Sequence, residues 1–141
     1  MNEQQTPSNP GPPISPTQRS TGLDPKIAGL LAYFFGWLSG LIIYFIEKDN
    51  REVRFHALQS IAFNIVIFVA YVVLGIVMGI VSSILFSISV SIGFIVGSII
   101  SLVYVVLGIG TLVIWIRLMV KAYNEVHYKL PIIGDMVEKY V

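Results

Sequence analysis

A line of polar side chains runs along the second hydrophobic segment of the sequence. His56, Ser60, Asn64 and Tyr71 are separated by four, four and seven residues, so on a helix they share one face. Polar groups in hydrocarbon need partners, so this face should point at other helices or at water. Two interpretations are open: the wall of a polar path, in which His56 would respond to protons, or hydrogen bonds that hold neighbouring helices together.

The sequence offers no residues suited to catalysis, cofactor binding or metal binding. It contains no cysteine, and its two histidines, His56 and His127, are far apart with no nearby carboxylate pattern. No Asp, Glu or Lys interrupts the second and third hydrophobic segments, so they carry neither a nucleophile with its base nor an acidic proton relay. A net charge of +1 gives no basic surface for nucleic acid. We therefore predict a protein that is not an enzyme, needs no cofactor and binds no nucleic acid.

Charged residues are absent from a long central stretch of the chain. Between Arg54 and Arg117 lie 62 residues without one Asp, Glu, Lys or Arg. A soluble fold of this size buries only about 60–70% of its unfolded surface, so it could not hide that stretch from water. A bilayer can, and we predict that lipid surrounds the chain.

The hydrophobic runs predict an all-α membrane protein with three transmembrane helices in a small bundle. Asp24 and Pro25 suit the N-cap and the first position of the first helix. A span needs about 20 apolar residues, and the expected spans cover about 27–46, 57–80 and 93–117. A rival count, with three short spans inside the uncharged residues 55–116, stays open.

The predicted membrane domain, residues 24–121, is flanked by two polar segments. Residues 1–23 are rich in Pro and Ser and poor in bulky apolar side chains, which predicts a disordered tail. Residues 122–141 contain the string LPIIGD and are expected to form a cytoplasmic tail.

Basic residues predict the orientation. With three spans, the first loop and the C-terminus share one side, and that side carries seven of the nine Lys and Arg residues. The positive-inside rule then places this side in the cytoplasm and the N-terminus outside. Arg51 and Arg54 of the first loop are expected to lie among lipid head groups.

Small residues recur at intervals of four in the predicted spans. Gly36 and Gly40 continue a series that begins at Ala28 and Ala32, and comparable pairs follow in the other two segments. Such a face lets helix backbones approach closely. It predicts tight packing within the bundle, or contacts with a second copy of the chain or with other membrane proteins.

Three strings carry a resemblance to a known family: GLLAYFFGWLSGLIIYFIEKDN, VRFHALQS and KAYNEVHYKLPIIGDM. On these strings the chain resembles the Tic-twenty-like family of small prokaryotic membrane proteins, which is distantly related to a chloroplast inner-envelope import component. The resemblance implies a multi-pass protein of a prokaryotic cell membrane that assists protein translocation or insertion. It also implies that the membrane entry faces the LPIIGD segment on the cytoplasmic side: Arg54, Phe55, His56 and Gln59 on one side, and the segment with Pro131, Gly134 and Asp135 on the other.

The sequence therefore predicts a non-enzymatic membrane protein that acts through contacts between helices or proteins. The alternative is a subunit of a channel or transporter for small solutes, for which the polar face around Asn64 would supply the path.

Overall fold

A computed structural model describes residues 22–141, and these residues are 82% helical with no strand among them. The predicted disordered tail lies outside the described residues except for Gly22 and Leu23, which are not helical. The described part of the chain contains five helices: α1 (Pro25–Phe34), α2 (Trp37–Ile46), α3 (Arg51–Ile88), α4 (Val90–Tyr123) and α5 (Ile133–Glu138).

The expected first span, residues 27–46, is wrong as a continuous helix, because the segment forms the two ten-residue helices α1 and α2. The helix breaks at Phe35 and at Gly36, whose φ of 65° lies in the region that favours glycine. Ser39 Oγ then lies 3.4 Å from the carbonyl oxygen of Ala32, although seven residues of straight helix would separate the two by about 10 Å. The chain folds back on itself, and we call α1 and α2 together the short hairpin.

Both ends of the short hairpin lie at the same end of the molecule. Ala28 from the start of α1 and Ile43 from the end of α2 share a buried cluster with Val53 and Ala57, in the first two turns of α3. The turn of the short hairpin lies farther along α3, where Gly36 approaches Asn64. A single span would have placed the two ends of the segment at opposite ends of the molecule.

α3 and α4 form a long antiparallel hairpin, which we call the long hairpin. Asn50 caps α3 by accepting hydrogen bonds from the backbone N–H groups of Glu52 and Val53. Only Ser89 separates α3 from α4, so residues 55–116 form two helices and not three. The expected connection between the second and third spans is itself helical up to this one residue.

The buried core occupies only one end of the long hairpin. A second buried cluster joins Tyr33 of α1, Phe63 of α3, and Leu118 and Ala122 of α4. The most apolar 18-residue stretches of α3 and α4 have mean hydropathies of 2.8 and 2.6, and no residue within them is buried. By length and composition, both helices are able to cross a membrane.

Candidate functional site

The residues with the most polar contacts gather where α1, the start of α3 and the C-terminal segment meet. Gln59 is fully buried at this point. Its Nε2 donates to the hydroxyl of Tyr33 at 2.9 Å and to the carbonyl oxygen of Tyr128 at 3.1 Å, while its Oε1 accepts from the N–H of Leu130 at 3.1 Å. Both polar atoms of the Gln59 side chain are therefore hydrogen-bonded, and the three bonds connect three parts of the fold.

Gly134 allows the C-terminal segment to approach α3 closely. A Cβ added at Gly134 would lie 2.7 Å from Cβ of Lys129 and 3.2 Å from Oε1 of Gln59, both shorter than ordinary van der Waals contact. Ile132, two residues earlier, has a φ of 69° and turns the chain into α5. The string LPIIGD therefore folds into a tight turn against Gln59.

Charged and aromatic side chains bind the outer side of the same segment to α3 and to α5. We call this group the clasp, and its residues are Glu52, Phe55, His127, Lys129, Asp135 and Glu138. The ring of His127 stacks on Phe55 with centroids 4.2 Å apart, and its Nδ1 lies 2.6 Å from a carboxylate oxygen of Glu52. Lys129 pairs with Glu138 and lies 3.7 Å from Asp135. The bond between Lys129 and Glu138 raises the pKa of the lysine and lowers the pKa of the carboxyl group.

The turn of the short hairpin is held by polar groups of α3 and α4. Ser60 Oγ donates to the carbonyl oxygen of Gly36 at 3.2 Å, and the Trp115 indole N–H donates to the carbonyl oxygen of Tyr33 at 2.9 Å. Within the hairpin, the N–H of Phe35 donates to Ser39 Oγ at 3.0 Å. A broken helix leaves backbone groups without helical partners, and these three bonds satisfy some of them.

The predicted polar face divides into two parts. His56 and Ser60 are buried, with His56 Nδ1 3.5 Å from the Tyr33 hydroxyl, so this part binds the short hairpin. Asn64 donates from Nδ2 to the carbonyl oxygen of Ser60 at 2.8 Å and lines a cavity of about 720 Å³. The other residues that line this cavity are largely apolar: Trp37, Ile65, Ile67, Phe68 and Tyr71.

The remaining predicted residues have separate surroundings. Arg51 is exposed, whereas the guanidinium carbon of Arg54 lies over the ring of Tyr44, 5.0 Å from its centroid. Gly40 packs so closely on α3 that an added Cβ would lie 2.9 Å from the carbonyl oxygen of Ala57. Pro131 is exposed at the turn before α5, and Asp135 is exposed apart from its contact with Lys129.

Several residues of this site carried no recognisable signal in the sequence. Tyr33 and Trp115 read as ordinary aromatic residues of apolar helices, and Glu52 as one charge in a charged loop. His127 lies in the polar C-terminal segment, where nothing in the sequence distinguishes it from a surface residue. Among residues 22–141 no group of three or more His, Asp or Glu residues is placed to hold a metal ion.

Comparison with known proteins overturns the predicted family. The family model of the magnetosome magnetite crystal formation proteins, MamF/MmsF, matches residues 23–137. Nothing in the comparisons supports a relationship to the Tic-twenty-like family, so that resemblance is corrected. No solved structure matches the chain.

Archaeal proteins described only as UPF0132 membrane proteins are similar over most of the chain. One from Methanocaldococcus jannaschii is 34% identical over 121 residues, covering 86% of this chain and 92% of the relative. A second from the same organism is 35% identical over 84% of this chain and 71% of the relative. One from Archaeoglobus fulgidus is 29% identical over 82% of this chain and 94% of the relative. The chain is thus a relative of archaeal UPF0132 membrane proteins, and it belongs to the MamF/MmsF family of magnetosome magnetite crystal formation proteins.

Proposed function

We propose that the protein is a multi-pass protein of the cell membrane that acts through contacts with other proteins and not by catalysis. In this proposal α3 and α4 cross the bilayer, and the short hairpin enters and leaves from the cytoplasmic side. The observation that carries it is the long hairpin, whose most apolar stretches are unburied in both helices. The polar groups at the buried end hold the fold together: His56 and Gln59 contact Tyr33, and Ser60 contacts Gly36.

The charge distribution supports this arrangement. Because the short hairpin returns to the side from which it starts, every Lys and Arg among residues 22–141 falls on one side of the long hairpin. Three spans would leave Arg19 and Lys26 on the opposite side. The positive-inside rule therefore favours the arrangement with the short hairpin, and it places both termini in the cytoplasm.

Thiol labelling tests the arrangement, since the chain has no cysteine of its own. Single-cysteine variants Leu23→Cys, Asp49→Cys and Lys139→Cys should react with a membrane-impermeant maleimide only after the membrane is opened. Ser89→Cys should react from outside. Phe35→Cys, at the turn of the short hairpin, should be protected from both sides. Labelling of Leu23→Cys from outside intact cells would restore the three-span arrangement and refute this one.

Protein contacts are tested by photo-crosslinking in cells. A crosslinking amino acid at Phe68, which is 67% exposed on α3, should capture a defined protein. The matched position is Ala28, which is fully buried and should capture nothing outside the chain. Recovery of lipid alone from Phe68 and from further exposed positions of α4 would contradict a role through protein contacts.

A second candidate function, a channel or transporter subunit for small solutes, is favoured by one specific observation. α2 begins at Trp37, and its N-cap residue Gly36 supplies no side-chain cap next to the cavity that Asn64 and Trp37 line. Broken helices whose ends open on a cavity at mid-membrane depth form the substrate sites of many transporters. Solute flux through reconstituted protein should then fall when Asn64 is replaced by Leu and should persist in Ser83→Ala. Flux equal to that of empty vesicles would remove this candidate.

A further inference from the structure

The short C-terminal helix α5 carries large apolar side chains that the rest of the described chain leaves uncovered. Ile132, Met136 and Tyr140 are 82%, 50% and 69% exposed. The N–H of Met136 donates to the carbonyl oxygen of Ile132 at 3.1 Å, so Ile132 is the last residue before the helix and continues its path. Their spacing of four places the three side chains on one side of α5. We call these three residues the open face of α5.

The open face lies between a buried side and a polar side of the same helix. Gly134 and Val137 are buried and form the side that packs on the protein. At about 100° per residue, the charged residues fall together on the remaining side: Asp135, Glu138 and Lys139. A helix with an apolar side next to a charged side is the kind that lies in the plane of a membrane surface, with one side in lipid and the other in water.

The contacts of α5 set its depth relative to the charged end of α3. On the buried side, a Cβ added at Gly134 would lie 3.2 Å from Oε1 of Gln59. Gln59 follows Arg54, the last charged residue before the apolar part of α3, by five residues, or about 7.5 Å along the helix. Just after α5, the carbonyl oxygen of Tyr140 accepts from the hydroxyl of Tyr44 at 3.4 Å, and the ring of Tyr44 lies under the guanidinium of Arg54. α5 therefore lies between the levels of Arg54 and Gln59, and apolar faces of interfacial helices are buried to a similar depth, about 5–10 Å.

We propose that the open face of α5 binds the cytoplasmic surface of the lipid bilayer. Its three side chains lie at the boundary between head groups and acyl chains, and the charged side of α5 remains in water. Removal of the open face from water stabilises this position. The proposal rests on the crossing of the bilayer by α3 and α4, and it adds a membrane contact in a segment that does not cross.

The size and the surroundings of the open face favour lipid over a protein partner. A stable protein interface buries about 800 Å² on each partner and involves about 20–30 residues a side, far more than these three side chains supply. The end of α2, which reaches Tyr140 through Tyr44, carries further exposed apolar side chains, with Phe45 66% and Ile46 49% exposed. Tyrosine is also enriched at the membrane surface, because its ring is apolar and its hydroxyl reaches water.

Spin labels on single cysteines measure where the open face lies. Met136→Cys and Tyr140→Cys are labelled with a nitroxide and reconstituted in vesicles of phosphatidylcholine and phosphatidylglycerol. Both labels should collide more often with oxygen, which concentrates in lipid, than with a water-soluble nickel chelate. Asp135→Cys is the matched control, since its side chain is 76% exposed next to Met136 but on the charged side, and its label should show the opposite preference. Tryptic cleavage after Lys129 in detergent, at a rate within about twofold of the unsubstituted protein, shows that each variant keeps the segment folded.

A label at Val106→Cys, 62% exposed in the middle of α4, separates this proposal from the crossing on which it rests. Oxygen preference at Val106 combined with nickel preference at Met136 and Tyr140 would overturn the membrane contact of α5 and leave the crossing intact. Nickel preference at Val106 would refute the crossing itself.

A photo-crosslinking amino acid at Met136 supplies a second readout in native membranes, without a nitroxide on α5. Lipid adducts are the expected products. A defined protein adduct, or a second copy of the chain, in place of lipid would overturn the proposal.

Discussion

Replacement of Gln59 by Leu should release the C-terminal segment from α3. The two side chains are similar in size, so the change removes the three hydrogen bonds of Gln59 and creates little empty space. The N–H of Leu130, the carbonyl oxygen of Tyr128 and the hydroxyl of Tyr33 then lose a partner. Each polar group left unsatisfied costs about 1–3 kcal/mol where burial is complete. Since the contacts with Tyr128 and Leu130 are only partly buried, we expect a total of about 2–4 kcal/mol.

Tryptic cleavage after Lys129, in purified protein in detergent, measures this loss. Cleavage within a folded segment requires local opening, and its rate follows the opening equilibrium when reclosing is fast. A loss of 2 kcal/mol raises the opened population about 30-fold, and the cleavage rate with it. The matched control is Ser83→Ala, whose hydroxyl bonds only to its own helix and which should change the rate less than about twofold. A Gln59→Leu rate within twofold of the unsubstituted protein would refute the role of Gln59 as the connection between the three parts of the fold.

Three further predictions concern the backbone and the clasp. Gly36→Ala should lower the free energy of unfolding by about 1–3 kcal/mol, because a φ of 65° strains a residue with a Cβ. Gly79→Ala, at an open position within a helix, is the control and should be neutral or slightly stabilising. Unfolding by titration with a denaturing detergent measures both variants. Gly134→Ala should loosen the C-terminal segment, since its Cβ would lie 2.7 Å from that of Lys129, and Gly110→Ala should leave tryptic cleavage after Lys129 unchanged. The pKa of Glu138 is lowered from 4.5 and the pKa of Lys129 is raised from 10.5, so the ion pair between these two residues should hold between these values. Its stability should be lost as pH falls through the lowered pKa of Glu138 or rises through the raised pKa of Lys129. A spin label at Lys139→Cys should gain mobility as the pH falls through the lowered pKa of Glu138, and mobility that stays unchanged well below that pKa would contradict the assignment.

The long hairpin was largely predictable, because its physical cause is written in consecutive residues. A run without charge from Phe55 to Ile116 is long and apolar enough to cross a membrane, and such segments form helices because the backbone groups then bond within the segment. Both helices extend beyond the expected spans 57–80 and 93–117 at each end, and the largest difference is at the end of α3. The serines around residue 89 suggested a polar connection, yet Ser83 and Ser87 donate to carbonyl groups of their own helix, which lets the helix continue through them.

The resemblance implied that Gln59 faces Gly134, but the individual contacts of the site could not be predicted, because they join residues that lie far apart in the sequence. Gln59 is 71 residues from Leu130, and Glu52 is 75 residues from His127. Short strings reveal charge, size and periodicity, but they do not reveal which distant backbone group a buried amide will meet. The close approach at Gly134 was likewise hidden, since a glycine in a loop looks the same whether its missing side chain leaves room for Lys129 or for water.

The short hairpin shows why hydropathy misjudged the first segment. Twenty uncharged residues, Ile27 to Ile46, match the length of one span, and the same composition suits two ten-residue helices that fold back. The outcome depends on whether the backbone groups that a break at Gly36 exposes can find hydrogen-bond partners away from water. Ser60 donates to the carbonyl oxygen of Gly36 and Trp115 donates to that of Tyr33, and both donors belong to other helices. Whether the first segment crosses or returns is therefore decided by side chains of α3 and α4, and no window confined to residues 27–46 contains that information.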